Sequence, residues 1–462
     1  MLGRAATIGL CLAAAGCGLL GPHTSGPDGL SVYDGDLRHL AGQHRFEDAL
    51  ELAETEGGDA GDDLLSTLNI ATIEHYAGNF ESSNGLLIAA DIEIDNRFTK
   101  SISKAALSLI TSDRSLDWVP TRLERPMIHV YGALSYLGMG ELDEAAVEAR
   151  RLSILLDAMA DRDMPADEHD YYLTLRYFAG AVFEAAGEVN DSRIAYQYAG
   201  FGSDEQAGGT HTQFGEVAVL VESGFVANRV ERSVNLLLDD DDADYVRHGS
   251  DSDRYHAASC LSGDRLRFAY DSFGTPPDRD GCGRRRSGRR AGSKRGDEKE
   301  DEDDIGYLLR VAWPVMQRSV DDASNGQVHA YVPESGFAGE YVLRADLSGA
   351  TIDEFNGRAP EILIKALARA AVKYTVVDAI ADDSEVAQVV GNAITALLER
   401  ADTRGWNLLP STLEIVRLRL PPGLHRIEVE IHGNDLSNGP LVLEDVFVEP
   451  GRLTVVSARA WP

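Results

Sequence analysis

The sequence predicts an α+β multidomain protein: an N-terminal α-helical repeat domain, then a mixed α/β domain that ends in an antiparallel β-sheet. Three observations predict it. Apolar residues recur at helical spacing through residues 31–200. One turn pattern recurs along the same stretch. Beyond residue 201 the pattern changes to short β-branched runs punctuated by Gly and Pro. A chain of 462 residues with 44% hydrophobic content has room for more than one core. Its formal charge of −33 argues against non-specific binding to nucleic acid or anionic lipid, since both would be repelled.

The first residues have the pattern of a processing signal. Arg4 precedes a short apolar run, residues 5–15, that is too short to cross a membrane as a mature anchor. It ends in Ala14-Ala15-Gly16-Cys17, which resembles a bacterial lipobox with Ala14 where Leu is preferred. That resemblance implies a signal peptide over 1–16 and lipidation of Cys17, whose acyl chains would hold the protein on a membrane. An ordinary secretory signal with an incidental Cys17 is the alternative. Gly18 stands where an inner-membrane retention signal would place Asp, which favours the periplasmic face of the outer membrane. Residues 17–30 form a Gly/Pro/Ser-containing tether.

Residues 31–200 are expected to fold as helical hairpins. The turns are His44-x-Phe46-x-x-Ala49, Gly78-x-Phe80-x-x-Ser83, Gly140-x-Leu142-x-x-Ala145 and Gly187-x-Val189-x-x-Ser192. The small residue in each lets two helices approach closely, as in tetratricopeptide turns. The first two turns lie 34 residues apart (44 to 78), the tetratricopeptide period. The next intervals are 62 and 47 residues (78 to 140, 140 to 187), so insertions are expected, one being a helix over 98–109 with a loop to Pro120. An irregular helical bundle is the competing reading.

The second half begins with strands over 215–221 and 230–238. The acidic run 239–242 with Asp244 lacks the Gly and Glu spacing of an EF-hand and reads as a solvated loop, so no metal site is assigned. Residues 248–304 carry opposed charge blocks, seven basic residues over 284–295 and seven acidic ones over 297–304, and read as a disordered insertion. Cys260 and Cys282 fall there, either paired in an oxidising envelope or as free thiols. Residues 305–462 then supply strands over 305–313, 327–332 and 340–346, helices over 352–381 and 384–401, and strands over 412–420, 424–432, 441–448 and 453–458. The turn Pro421-Pro422-Gly423 is expected to close a hairpin between 412–420 and 424–432.

No local catalytic pattern is present: no GxSxG, HExxH, Walker A or CxxC. No cofactor is expected. Two stretches stand out, Val147-Glu148-Ala149-Arg150-Arg151 and Ala401-Asp402-Thr403-Arg404-Gly405-Trp406. In purely structural terms the first is a solvated helix face with i,i+3 pairs, and in the second Asp402 caps a turn while Trp406 plugs a gap. Together with the lipobox, GEVAVLVESG and LPPGLH, these stretches resemble a family of uncharacterised bacterial tetratricopeptide-like outer-membrane lipoproteins, over most of the mature chain except 248–304. The resemblance implies an anchored scaffold rather than catalysis. The expected function is therefore a non-enzymatic adaptor that holds a protein or peptide partner in its repeat groove. The alternative is an envelope enzyme of cell-wall hydrolase type with a site between the helical and β domains. Glu148, Arg150, Arg151, Asp402, Arg404 and Trp406 are the candidate interaction residues. One expectation is that Glu148 or Arg151 meets Asp402 or Arg404, with Trp406 beside the contact. The other is that each stretch is satisfied within its own domain.

Overall fold

The computed structural model describes residues 29–60, 62–104, 116–160, 164–202, 213–238, 307–320, 326–380, 400–432 and 439–462. Cys17 and the signal segment, nearly all of the tether, the 248–304 insertion with Cys260 and Cys282, and nearly all of the helix expected over 384–401 lie outside these residues.

The chain is mixed α+β, with helices in its N-terminal part and mainly antiparallel sheets towards its C-terminus. The helices come in pairs: α1 (Val32–Gly42) with α2 (Phe46–Ala60), α3 (Asp63–Tyr76) with α4 (Phe80–Lys104), α5 (Arg125–Met139) with α6 (Leu142–Met159), and α7 (Ala166–Ala185) with α8 (Val189–Tyr198). Each pair turns at one of the four motifs read from the sequence. His44, Gly78, Gly140 and Gly187 have φ of 57, 82, 78 and 79°, the left-handed region in which Gly is least strained. In each turn the next N–H reaches back five residues, as from Asn79 to Glu74 O (2.9 Å) and from Glu141 to Tyr136 O (2.9 Å), so the last carbonyls of the first helix are satisfied. The small residues Ala49, Ser83, Ala145 and Ser192 are all buried where the paired helices touch. Each helix also packs on the next in chain order. The separate helix expected over 98–109 does not begin at 98, and its residues 105–109 lie outside the described residues. Residues 98–104 instead continue α4, which is 25 residues long.

Nine strands follow: β1 (Gly215–Ser223), β2 (Asn228–Leu238), β3 (Tyr307–Gln317), β4 (Gln327–Tyr331), β5 (Glu340–Asp346), β6 (Thr412–Leu420), β7 (Gly423–His432), β8 (Leu441–Val448) and β9 (Leu453–Ala460) among the described residues. Helix α9 (Leu347–Ile380) runs through Pro360 and packs on α7 and β3. Strands β2 and β3 form their own antiparallel ribbon, which pairs Leu238 with Tyr307 and so brings together the two ends of the intervening segment. The other strands build two sheets, ordered β5-β6-β1-β9 and β4-β7-β8.

The expected hairpin at Pro421-Pro422-Gly423 is not one. Strand β6 pairs with β1 and β5, whereas β7 pairs with β4 and β8, so the chain crosses there from one sheet to the other. Two consecutive prolines, with fixed φ and no N–H, suit a crossing better than a ladder. The chain crosses back between β8 and β9, and β9 joins β1 in parallel, an exception to the antiparallel pattern expected. Gly215 admits that return, since a Cβ there would meet Glu449 O at 2.1 Å.

The period of two along β1 assigns its faces. Val217, Val219 and Val221 join Val416, Leu418, Ile427, Val429 and Val448 in a core between the two sheets. Ala218 and Leu220, with Leu413, Ile415, Leu453 and Val455, face the helices and belong to the same core as Leu68, Tyr131 and Leu175. The protein is thus three layers: helices, the four-stranded sheet, and the three-stranded sheet. With both faces covered, β1 reads as a nearly continuous apolar run.

Candidate functional site

The first helix of every hairpin sends a polar side chain into the β half. Arg38 of α1 donates from Nε to Asn407 O (2.7 Å) and from Nη2 to Val226 O (2.9 Å). Thr72 of α3 accepts from Trp406 Nε1 (3.0 Å). Tyr76 of α3 and Tyr131 of α5 donate to Glu222 of β1, and Tyr177 of α7 accepts from Arg417 of β6. The inner face of the helical layer, where a tetratricopeptide groove would receive a partner, is therefore covered by the chain's own sheet.

The residues singled out from the sequence are satisfied separately. Glu148 is buried against His129 Nδ1 (2.7 Å) on the facing helix and pairs with Arg151 at 3.0 Å. Gly132 makes room for it, because a Cβ there would lie 3.2 Å from Glu148 Cγ. Arg150 pairs with Glu188 at the α7–α8 turn, tying the third hairpin to the fourth. Asp402 accepts from its near neighbour Arg404 Nε (2.8 Å) and backbone N–H (3.1 Å). Neither Glu148 nor Arg151 meets Asp402 or Arg404, so that expectation is corrected. The second stretch does bridge the two halves by other partners. Arg404 Nη2 donates to Leu116 O (2.9 Å) and Arg404 Nη1 lies 3.8 Å from Asp62, at the start of α3. Trp406 is fully buried, its N–H donates to Glu124 Oε1 (3.2 Å), and its ring lies 5.9 Å from that of Tyr131.

Further ionic contacts at the junction involve residues the sequence did not single out. Arg417 Nη2 donates to both carboxylate oxygens of Glu184 (2.8 and 3.0 Å), Nε donates to Glu216, and Nη1 donates to the hydroxyls of Tyr177 and Tyr196 (3.2 Å each). Tyr196 in turn donates to Glu184 at 2.6 Å. Helices α7 and α8 are thereby fixed to β1 and β6.

A cleft of about 740 Å³ opens between the hairpin turns and the edges of both sheets. Its helical wall carries His75, Tyr76, Phe80, Leu137 and Gly138, and its other wall is β8 and β9. Both strands are edges of their sheets. Glu216 N–H donates to Arg452 O (2.9 Å) and Gly224 N–H to Ala460 O (3.1 Å), so even-numbered residues of β9 turn their backbone polar groups towards β1. Strand alternation then turns the N–H and C=O groups of Leu453, Val455, Ser457 and Arg459 towards the cleft, which these residues line.

Behind the cleft lies a buried polar cluster. Glu222 is wholly buried, and its Oε2 accepts from Tyr76 (2.7 Å) and Tyr131 (3.1 Å) while its Oε1 has no partner. Burial pushes its carboxyl above the ordinary range, with the nearby Arg459 opposing. Burial also pushes both tyrosine hydroxyls well up, so they remain donors. His75 shares a hydrogen bond with Ser135 Oγ (2.8 Å), and burial lowers its pKa to about 4. The sign follows: the unfolded chain takes up this proton near pH 6.5 and the folded chain only near pH 4, so the contribution is whole above 6.5 and is lost as pH falls. Between those values wild type is expected to lose on the order of 3 kcal/mol more stability than His75→Gln, measured by urea unfolding at pH 7 and pH 4.5. Equal losses in the two proteins would show that His75 does not titrate this way.

None of these groups is adjacent in sequence to the others except His75 and Tyr76, so no motif announces the cleft. Among the described residues no cluster of three or more His, Cys, Asp or Glu is arranged to hold a metal ion, and no helix is long and apolar enough to cross a membrane. Compared with protein-family models, curated proteins and solved structures, the chain matches none.

Proposed function

We propose that this chain is a non-enzymatic adaptor of the bacterial envelope that receives an extended segment of a protein partner on the β9 edge, within the cleft. The observation that carries this reading is the edge itself. Unpaired strand backbone at the wall of a cleft is the surface to which a peptide adds as a further strand, with affinity from main-chain hydrogen bonds and selectivity from flanking pockets. The apolar wall of Phe80, Leu137 and the β8 side chains supplies such pockets.

The tetratricopeptide reading of the helical layer belongs to this proposal. Four hairpins with one turn geometry, stacked in chain order, support it, as does the resemblance of the VEARR and ADTRxWxxLP stretches to tetratricopeptide-like lipoproteins. The lipobox at Cys17 supports a lipid anchor and a place on the periplasmic face of the outer membrane. The partner's seat moves from the repeat groove to the cleft because sheet and helix already cover each other. The perturbed carboxyl of Glu222 is engaged by Tyr76 and Tyr131 behind the cleft rather than among the groups that line it.

One experiment with two readouts tests the proposal. Cys17→Ser is expected to move the protein from the membrane to the soluble fraction of cells. In the detergent-solubilised full chain, Ser457→Pro removes an N–H that faces the cleft while sparing the ladder to β1. It is expected to weaken capture from a random peptide library by about tenfold or more, with unchanged thermal unfolding. Retention of the Cys17 variant on membranes would refute the anchor. Undiminished capture by the Ser457 variant would refute strand addition.

A further inference from the structure

The four-stranded sheet is the middle of three layers, so a strand added at β9 would meet a different neighbour on each face. The alternation along β9 shows which neighbours these are. Leu453 and Val455 belong to the core shared with the helices, whereas Val456 and Ala458 pack into the core between the two sheets. Side chains of adjacent strands share faces, so an added strand continues the same alternation. One set of its side chains would meet the helical wall of the cleft, and the intervening set would meet β8.

Those two walls differ in chemistry. The helical wall presents Phe80, Leu134, Leu137, Gly138 and Leu142, and carries no charge at neutral pH because His75 is neutral there. The β8 wall presents Glu444 and Asp445 beside Val442 and Phe447, with Glu449 just past the strand. A bulge sets the first two. The ladder to β7 passes from His425–Val446 to Ile427–Leu443, which leaves Glu444 and Asp445 together opposite Arg426. Asp445 takes a φ of 54° there, and both carboxylates are exposed.

The partners these carboxylates already have are weak ones. Glu444 lies 3.3 Å from Arg426 and Glu449 lies 3.3 Å from Arg452, both exposed pairs of the kind that contributes little. Asp445 forms no ion pair among the described residues. Arg459 does not offset them, being buried with its Nη2 donating to Gly224 O (2.7 Å). The open cleft is thus apolar on its helical side and negative on its β8 side.

We infer that the segment received on β9 alternates apolar and basic residues, with its apolar side chains on the helical wall and its Lys or Arg side chains on the carboxylates of β8. The inference rests on strand addition at β9 and names the pattern that the added strand carries. A Lys or Arg stem lies along Val442 and Phe447 while its head reaches Glu444 or Asp445. The formal charge of −33 attracts cations to the whole surface, so the alternation, rather than attraction alone, identifies the site.

The test selects from a random peptide library on the detergent-solubilised full chain, at about 0.15 M salt, and reads residue frequencies by position. Wild type is expected to enrich Lys and Arg about fivefold at alternate positions with apolar residues between them, the effect of two exposed ion pairs together. Glu444→Gln combined with Asp445→Asn is expected to remove the basic preference and keep the apolar alternation, since Asn tolerates positive φ. Cooperative thermal unfolding of the double variant checks that the fold persists. Basic residues enriched equally at every position, or undiminished in the double variant, would mean general attraction to a negative protein and overturn the inference. Capture with no basic preference overturns it and leaves strand addition standing. A dimer that grows with concentration and is lost in Ser457→Pro would place a second copy of the chain on the edge and overturn it too. Failure of wild type to capture any peptide overturns both.

Discussion

Replacing Trp406 with alanine is expected to lower the stability of the protein by about 4 kcal/mol, in the range for a fully buried large aromatic side chain. Trp406 is the largest of the fully buried side chains, and it lies in the one core shared by the helices and the four-stranded sheet. Its ring packs on Tyr131 of α5 while its Nε1 donates to Thr72 of α3, so truncation removes contacts between the two halves rather than within one. The cavity left behind is flanked by rigid helix and strand and has little freedom to collapse. Trp406→Phe keeps most of the volume and loses only the Thr72 bond, so it is expected to cost much less. Urea unfolding measures both. A cost below about 1 kcal/mol for the alanine variant would mean that the 401–410 loop is not an essential part of the junction.

Removing the guanidinium of Arg417 is expected to rank second, at about 3 kcal/mol for Arg417→Met. Breaking a buried ion pair by deleting one partner costs roughly 3–5 kcal/mol because the other charge stays behind. The figure is set at the low end here because the Glu184 and Glu216 side chains keep 23% and 29% of their exposure, so water relieves part of the penalty. The diagnostic result is recovery. Arg417→Met combined with Glu184→Gln and Glu216→Gln is expected to regain most of the loss, since no stranded charge then remains. If the triple variant is as unstable as the single one, the packing of the Arg417 stem rather than its charge holds α7 and α8 to the sheet.

Several features of this architecture were legible in residue order. Each hairpin turn needs a residue that tolerates positive φ, followed by a small residue where helices touch, and both are local requirements met at Gly78 and Ser83, Gly140 and Ala145, and Gly187 and Ser192. His44 meets the same requirement without being Gly. Strand positions were legible for a similar reason: β-branched runs such as those of β1 and β9 declare extended backbone whatever pairs with them. The 98–109 segment misled because a helix that simply continues carries the same periodicity as one that restarts.

The pairing of those strands, and the site, followed a different rule. Strands β6 and β7 are neighbours in sequence and members of different sheets, because each buries its inward face against residues remote in the chain. The cleft draws His75 and Tyr76 from one hairpin and Arg459 from the last strand, with Glu222 of the first strand buried behind it. Charge alone also misplaced the junction. Glu148 and Arg151 looked available on their helix, yet His129 across the hairpin uses Glu148, while Arg417 is among the charges that join the halves. The sequence by itself determined most of the helix and strand segments among the described residues, where the helical hairpins turn and which residues of β1 face inward, since these depend on dihedral preference and period. Only the tertiary structure decided which inward faces meet, that the inner face of the helical layer is covered by the chain's own sheet, and that an edge strand comes to line a cleft. Those outcomes depend on burying apolar area between segments far apart in the chain, and no local pattern encodes that.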